Sequence, residues 1–297
     1  MNLEELSRAS CYEELELLLT LQALQGKRHE VFNYLSNYQD NVAFCIPTKT
    51  GFVWYSKNSL KRVEAPEKVN GDFRCYKCSS LTSLVGAPKE INGGFSCYKC
   101  SSLTSLEGAP TKVSGSFDCA ECVLLTSLRG APEKVGRNFW CYKCSSLTSL
   151  KGAPEKVGRD FDCSNCTSLT SLEGVPQEVD GDFSCSSCSS LTSLKGAPEK
   201  VGGGFCCHSC TSLTSLRGAP EKVGGSFNCS YCSSLISIKG GPQEVGGGFW
   251  CDSCASLTSL RGAPEKVGGS FNCSCCASLT SLEIKRLKKS RSYKIAR

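Results

Sequence analysis

Histidine is almost absent from this sequence, which has only two, His29 and His208, among 297 residues. No Ser/His/Asp arrangement, phosphate-binding loop or pair of carboxylates stands out from the rest of the chain. A catalytic site needs unlike residues that converge from different parts of a fold. We therefore expect a protein that is not an enzyme and that uses no cofactor.

Long apolar runs are also missing, since no stretch approaches the roughly 20 residues that a bilayer-spanning helix needs. The first residues, Met1 to Leu6, are acidic and lack the basic region of a secretion signal. We expect no membrane span and a location in the cytoplasm or another reducing intracellular compartment. Export to a host cell stays open.

Excess positive charge is scarce outside one end of the chain. The net charge is +6, and residues 283–297 alone contain seven Lys or Arg against one Glu. The remainder is therefore close to neutral, which argues against a nucleic-acid-binding body. This basic tail either binds acidic partners, anionic lipid or nucleic acid, or is simply a solvated end.

Cysteine, in contrast, is abundant, with 24 residues. Twenty of them lie in ten C-x-x-C pairs, each within one copy of a 22-residue unit that repeats without insertion from Val69 to about Leu282. The first cysteines of the pairs are Cys75, Cys97, Cys119, Cys141, Cys163, Cys185, Cys207, Cys229, Cys251 and Cys273. A repeat of this length predicts a solenoid, in which each unit stacks only on its neighbours.

Within one unit the pattern predicts a short strand, because Asp160 to Cys163 alternates polar and apolar residues and points Phe161 and Cys163 inward. The other inward residues are expected to be Leu169 and Leu172, with Val157 closing the coil. Gly174 and Pro176 mark a corner. The Gly-Gly pair seen at 202–203 permits either a positive φ or a close approach between coils.

The remaining segments predict end structures. Residues 1–45 have the apolar spacing of two short helices, which would form an N-terminal α-helical cap. Residues 46–68 are typical of a degenerate first coil, followed by the ten repeats at 69–282 and the tail at 283–297. A cap is expected because the first coil would otherwise expose a cross-section of the core.

The repeat resembles a leucine-rich repeat of the short, cysteine-containing type. In the pattern L-x-x-L-x-L-x-x-N/C-x-L, Phe161 and Cys163 take the second and third apolar positions and Cys166 the Asn/Cys position. The segment from Cys144 to Leu150 and the P-x-x-V-G-x-x-F run after it are most similar to BspA-like repeats. The resemblance implies a parallel β-solenoid of ten 22-residue coils that serves in recognition.

The cysteine pairs allow three interpretations. Four sulfurs from adjacent coils suit zinc or an iron–sulfur cluster, stacked coils are close enough for disulfides, and buried free cysteine acts as a small apolar side chain. We favour the third, because both cysteines occupy positions that the repeat reserves for core groups. Cys206 and Cys275 fall out of register and are candidates for exposed, reactive thiols.

Binding residues are expected where the repeat varies along its strand, beside the phenylalanine and between the cysteines. Tyr, Trp and cationic side chains gather there, and such residues dominate protein interfaces. The predicted partner-binding residues are Arg74, Tyr76, Lys77, Tyr98, Lys99, Trp140, Tyr142, Lys143 and Trp250. The alternatives are chance variation in a duplicated array, or a glycan or nucleic-acid surface.

We therefore expect a monomeric, non-catalytic scaffold that recognises a protein partner on its repeated strand face. The alternative function is a cysteine array that binds metal or takes part in redox chemistry.

Overall fold

The computed structural model describes residues 44–48, 51–55, 63, 65, 67–75, 77–291 and 294–296. Residues 1–43, nearly all of the predicted helical cap, lie outside these ranges, and so does Tyr76 of the predicted binding face. The last two residues of the predicted cap, Phe44 and Cys45, begin a β-strand.

The ten repeats wind into a parallel β-solenoid, and each coil contributes one short strand to each of two sheets. Successive coils pair in register: Phe139 lies beside Phe117 and Phe161, and Val157 lies beside Val135. This arrangement confirms the predicted solenoid of 22-residue coils. With paired strands about 4.8 Å apart, ten coils span about 50 Å.

The first sheet is built around the Phe-x-Cys strands and has 13 strands in the described part of the chain. They are, in spatial order, β1 (Phe44–Thr48), β2 (Gly51–Tyr55), β4 (Gly71–Arg74), β6 (Phe95–Ser96), β8 (Phe117–Asp118), β10 (Phe139–Trp140), β12 (Phe161–Asp162), β14 (Phe183–Ser184), β16 (Phe205–Cys206), β18 (Phe227–Asn228), β20 (Phe249–Trp250), β22 (Phe271–Asn272) and β23 (Ile295–Ala296). β1 and β2 are antiparallel, and β2 continues the parallel order by pairing with β4.

The second sheet holds ten strands of two residues, each ending in the valine or isoleucine that closes its coil. They are β3 (Lys68–Val69), β5 (Glu90–Ile91), β7 (Lys112–Val113), β9 (Lys134–Val135), β11 (Lys156–Val157), β13 (Glu178–Val179), β15 (Lys200–Val201), β17 (Lys222–Val223), β19 (Glu244–Val245) and β21 (Lys266–Val267). The sequence analysis predicted the closing valine but not this sheet, because a two-residue strand shows no alternation.

Columns of identical side chains fill the interior. Each phenylalanine ring stacks on the ring of the next coil, with centroids 4.9 to 5.7 Å apart, which is within the range where aromatic pairs attract. Phe161, Cys163, Leu169 and Leu172 are all fully buried, as predicted. Every coil thus presents the same cross-section to its neighbours, and stacking buries it.

Two kinds of turn shape each coil. Gly174 has a φ of +103°, so the corner before Pro176 uses a left-handed glycine. The second residue between the cysteines is also left-handed in every coil, for example Asn165 with φ +59°. Gly202 has another role, since an added Cβ would lie 2.3 Å from the carbonyl oxygen of Asp180. The Gly-Gly pair therefore serves close approach between coils.

The basic tail folds onto the last coil, while the charged side chains of its helix, such as Lys285 and Lys288, stay exposed. Helix α1 (Ser281–Ser290) starts at Thr280, whose hydroxyl accepts from the backbone N–H of Glu283, and it buries Ile284 and Leu287. After it, β23 pairs with β22. The tail residues therefore close the carboxyl end of the solenoid.

Candidate functional site

In nine of the ten pairs the second cysteine is hydrogen-bonded to the backbone of the preceding coil. The Cys166 thiol donates to the carbonyl oxygen of Cys141 in the preceding coil, with Sγ and O 3.2 Å apart. The same bond recurs along the array, from Cys100 to Cys75, Cys122 to Cys97, Cys144 to Cys119, Cys188 to Cys163, Cys210 to Cys185, Cys232 to Cys207, Cys254 to Cys229 and Cys276 to Cys251. A thiol at this position satisfies a buried carbonyl and fills apolar space at the same time.

Burial disfavours the thiolate form of several of the first cysteines. Desolvation is the main cause that raises the pKa of the Cys119, Cys141, Cys229 and Cys251 thiols, whereas metal binding and disulfide exchange need a thiolate. The 22 cysteines whose side chains are described are free thiols. In this part of the chain no group of three or more His, Cys, Asp or Glu side chains is placed to hold a metal ion. The geometry gives the columns a packing role.

The residue after each phenylalanine points outward, and in several coils it has a structural task. An Asp or Asn there accepts a hydrogen bond from the backbone N–H two residues further on, so that Asp162 binds Ser164 at 2.8 Å. The same bond joins Asp118 to Ala120, Asn228 to Ser230 and Asn272 to Ser274. Trp140, Trp250 and Arg74 occupy the same position but do not accept this hydrogen bond. The turn does not require these side chains.

In several coils the residue before the phenylalanine is also structural. Asp160 accepts from the backbone N–H of Asp182 at 2.9 Å, and Asp182 accepts from the N–H of Gly204 at 2.6 Å. Asp72 does the same for Gly94. The acidic residues before Phe161 and Phe183 therefore tie successive coils together, which explains them without any ligand.

A groove of about 1100 Å³ runs along the strand face of the first four coils. One wall is the outward side of the first sheet, and the other is the row of turns that precedes it. Its lining residues are Asn70, Gly71, Asp72, Arg74, Lys77, Asn92, Gly93, Gly94, Phe95, Ser96, Tyr98, Ser114, Gly115, Ser116, Asp118, Arg137 and Trp140. We call it the strand-face groove. It is the candidate binding site.

The groove brings together four of the nine residues predicted from the sequence, namely Arg74, Lys77, Tyr98 and Trp140. Tyr98 and Trp140 are half-buried, so that their rings are supported and still accessible. Three other predicted residues, Lys99, Tyr142 and Lys143, lie on the same coils but outside the lining.

Trp250 lies far from the strand-face groove, five coils beyond Trp140, or about 24 Å at the spacing of paired strands. Its side chain is 40% exposed. The indole lies over Gly248, where an added Cβ would come within 2.6 Å of the Trp250 Nε1 atom. Trp250 therefore belongs to a separate part of the strand face.

Ion pairs decide which cations of these coils are available. Glu121 lies 3.0 Å from the Lys143 ammonium and 3.7 Å from that of Lys99, which holds the pKa of the Glu121 carboxyl below its usual value. Arg74 pairs with Asp72 at 3.0 Å. Arg137, in contrast, is exposed and forms no ion pair with any residue of the described ranges. Its guanidinium is open to a ligand.

Desolvation raises the pKa of the Asp118 carboxyl to about 6, because the side chain lies against the floor of the groove. It accepts hydrogen bonds from the N–H of Ala120 at 3.0 Å and from the Ser96 hydroxyl at 3.4 Å. The groove thus combines two aromatic rings, an unpaired guanidinium and a carboxyl that changes charge near neutral pH.

Sequence reasoning missed three kinds of lining residue: Asn70 and Asn92 on the turns, Asp118 on the strand, and Arg137. Asn70 and Asn92 carried no signal, because polar residues are common on turns, and Asp118 carried none, because another coil has an aspartate at the same position, Asp162. Arg137 did carry one, since it occupies a position where most coils have glycine; Gly115 one coil earlier is an example.

No protein-family model, curated protein or solved structure matches this chain. The class of protein is therefore defined by its own geometry, a parallel β-solenoid of cysteine-rich 22-residue coils. Among the described residues, no helix has the length and apolar character that crossing a bilayer requires.

Proposed function

We propose that the chain is a non-catalytic recognition scaffold that binds a protein partner on its strand face, with the strand-face groove as the centre of the interface. The observation that carries the proposal is the groove beside the accessible rings of Trp140 and Tyr98. Aromatic side chains in a partly desolvated recess are the usual anchors of protein interfaces.

Charge favours a protein over a nucleic acid as the partner. The groove contains the carboxylates Asp72 and Asp118 as well as Arg74, Lys77 and Arg137. A phosphate backbone would be repelled by the carboxylates, whereas a protein segment offers both signs of charge. Arg137 suits a carboxylate of the partner, which a guanidinium binds in a bidentate manner.

The proposal includes kinship with leucine-rich repeats of the BspA-like kind. Its support is the match of the Phe-x-Cys strand and of Cys166 to that pattern, together with the parallel stacking of the coils. The free thiols suit a reducing intracellular compartment, which we propose as the location. We favour the scaffold over a metal-binding or redox array, because the Cys166 column uses its thiols as donors to backbone carbonyls.

The test replaces groove residues by those that the repeat itself uses elsewhere. Ser stands at the position of Trp140 in two other coils, at Ser96 and Ser184, so Trp140→Ser keeps the coil foldable. We expect the double variant Trp140→Ser, Tyr98→Ser to lose the proteins that wild type captures from a cell extract, by at least about tenfold in quantitative mass spectrometry, since hot-spot residues each contribute 2 kcal/mol or more.

The matched control is Val85→Glu, because Val85 is 65% exposed on another side of the coil and other coils carry Glu107 or Glu173 there. This variant should capture the same proteins as wild type. Unchanged capture by the groove variant, with its circular dichroism intact, would rule the proposal out. Equal loss in the control would show that the effect is not specific to the groove and would also count against the proposal.

A further inference from the structure

Cys206 and His208 form a hydrogen-bonded pair on the strand face of the seventh coil. They are two residues apart, so that both point outward while Cys207 between them points into the core. The Cys206 Sγ atom lies 3.4 Å from Nδ1 of His208. Both residues are partly exposed, whereas Cys207 is fully buried.

The scaffold does not require this pair. At the position of Cys206, the coils on either side carry Ser184 and Asn228, which are its partners in the sheet. At the position of His208, they carry Ser186 and Ser230. At these two positions the adjoining coils thus carry uncharged side chains, while the Asp182 carboxylate of the preceding coil accepts from the N–H of Gly204. The His208 imidazole is the group within reach that can take up the proton of the Cys206 thiol.

We propose that Cys206 is a modification site, at which His208 acts as general base for exchange with a low-molecular-weight disulfide such as glutathione disulfide. The Nδ1 atom accepts the proton from Sγ, and the thiolate attacks one sulfur of the disulfide. A new S–S bond forms to Cys206 as the old one breaks. The leaving thiolate takes the proton back from the imidazolium.

The reaction balances without a further reagent. Cys206 is oxidised to a mixed disulfide, and the departing half of the small disulfide is reduced to a thiol. The product places a bulky, charged group on the strand face, three coils from Trp140, or about 14 Å. The proposed modification does not depend on the proposed recognition function, because it requires only the thiol, the imidazole and access from solvent.

The array contains an internal reference for this reaction. Cys275 is more exposed than Cys206, and His208 is the only histidine in the described ranges. Access alone would therefore make Cys275 the faster thiol, while assistance by an imidazole would favour Cys206.

The experiment treats the reduced, full-length protein with glutathione disulfide and follows each cysteine by peptide mass spectrometry. We expect Cys206 to form the mixed disulfide faster than Cys275. His208→Gln, which keeps a polar side chain but cannot act as a base, should slow Cys206 by about tenfold or more and leave Cys275 unchanged. Cys206→Ser should abolish labelling of that peptide, since Cys207 is buried.

The pH dependence of the rate distinguishes a His208 that acts as general base from one that is only a hydrogen-bond partner of Cys206. The rate of an unassisted thiol rises about tenfold per pH unit below neutrality, with its thiolate fraction. Wild-type Cys206 should show a shallower rise between pH 6 and pH 8 than the His208→Gln variant. A faster reaction at Cys275, or equal rates and equal pH slopes in wild type and His208→Gln, would overturn the proposal.

Discussion

The variable side chains of the strand face fall into two groups, those that form hydrogen bonds within the scaffold and those that do not. Asp162 and Asn228 accept from the N–H two residues further on, and Asp160 accepts from the next coil. These side chains are explained by the fold. Trp140 has no such task, and neither does Arg137. Candidate binding residues are therefore better identified by departure from a structural rule than by variability itself.

Cysteine suits the position between strand and turn because of its size and its single weak donor. A carbonyl such as that of Cys141 is buried, and leaving it without a donor would cost about 1–3 kcal/mol. The Cys166 thiol supplies the donor with little of the desolvation cost of a hydroxyl or amide. Repetition of the cysteine pairs is thus a consequence of stacking identical coils.

Asp118 makes the stability of the folded chain depend on pH. Its carboxyl has a pKa of about 6 in the folded protein, against 3.8 when solvated, because burial disfavours the charged form. The folded state therefore holds a proton that the unfolded state has lost between about pH 4 and pH 6. Stability must fall as pH rises through this window and then level off.

The variant Asp118→Asn removes that dependence and keeps the acceptor for the N–H of Ala120, as Asn228 does for Ser230. We expect it to be more stable than wild type by about 1–3 kcal/mol at pH 7.5, with the difference shrinking towards pH 4. Urea unfolding at several pH values measures both curves. Parallel curves for the two proteins would contradict the assignment.

At the scale of the single coil, the strands are too short to be stable alone. Each has two residues in most coils, whereas an isolated pair of strands is marginal even at greater length. The coil is instead defined by its turns and by the contacts that stacking adds. We therefore expect substitutions of turn residues to destabilise the chain more than the exposure of these residues would suggest.

Gly240 and Gly241 test this in adjacent residues of one turn. Gly240 has a φ of +84°, and an added Cβ would lie 2.9 Å from the Cα of Arg217. We expect Gly240→Ala to destabilise the chain by about 1–3 kcal/mol, through left-handed strain and this backbone contact. The urea midpoint reports the loss.

Gly241→Ala is the matched control. Its Cβ would lie 3.0 Å from Cδ1 of Leu216, a flexible atom, and 3.1 Å from the carbonyl oxygen of Ile238, and other coils already accommodate alanine there, as at Ala197 and Ala219. This variant should be neutral or more stable by up to about 1 kcal/mol, because alanine restricts the unfolded chain. Equal losses in both variants would show that crowding, rather than backbone conformation, limits this turn.

The sequence predicted the coil well wherever a side chain is buried. Phe161, Cys163, Leu169 and Leu172 were assigned to the core from their pattern. The second sheet was not predicted, because a strand of two residues such as Lys156–Val157 is too short to show an alternation of polar and apolar side chains. Arg137 and Asp118 were missed as groove residues, since their proximity to Trp140 depends on how coils stack. The helix of the tail was not predicted. It depends on Ile284 and Leu287, but the tail was interpreted from its charged residues alone.

At the scale of the whole molecule, the solenoid is a one-dimensional array with ends that differ from its middle. Each coil contacts only the coils on either side, so stability is the sum of coil and interface contributions. At the carboxyl end, α1 and β23 cover the last coil, and the Arg291 guanidinium donates to the carbonyl oxygens of Pro264 and Ala263. These contacts protect the edge that would otherwise be open.

A defect in a central coil should therefore act locally. Phe161→Ala removes a ring that stacks on Phe139 and Phe183, at a cost of about 3–5 kcal/mol. We expect hydrogen exchange, read by mass spectrometry, to accelerate most in the coil of Phe161 and its neighbours and to return towards wild type at both ends of the array.

The control is Arg159→Gly in the same coil, because Arg159 is exposed and glycine stands at its position in most other coils. It should leave the exchange pattern almost unchanged. A uniform acceleration through all ten coils in Phe161→Ala would mean that the array unfolds as one cooperative unit. In that case its interfaces would be strong compared with the coils themselves, and a partner bound in the strand-face groove would stabilise the distant coils as well.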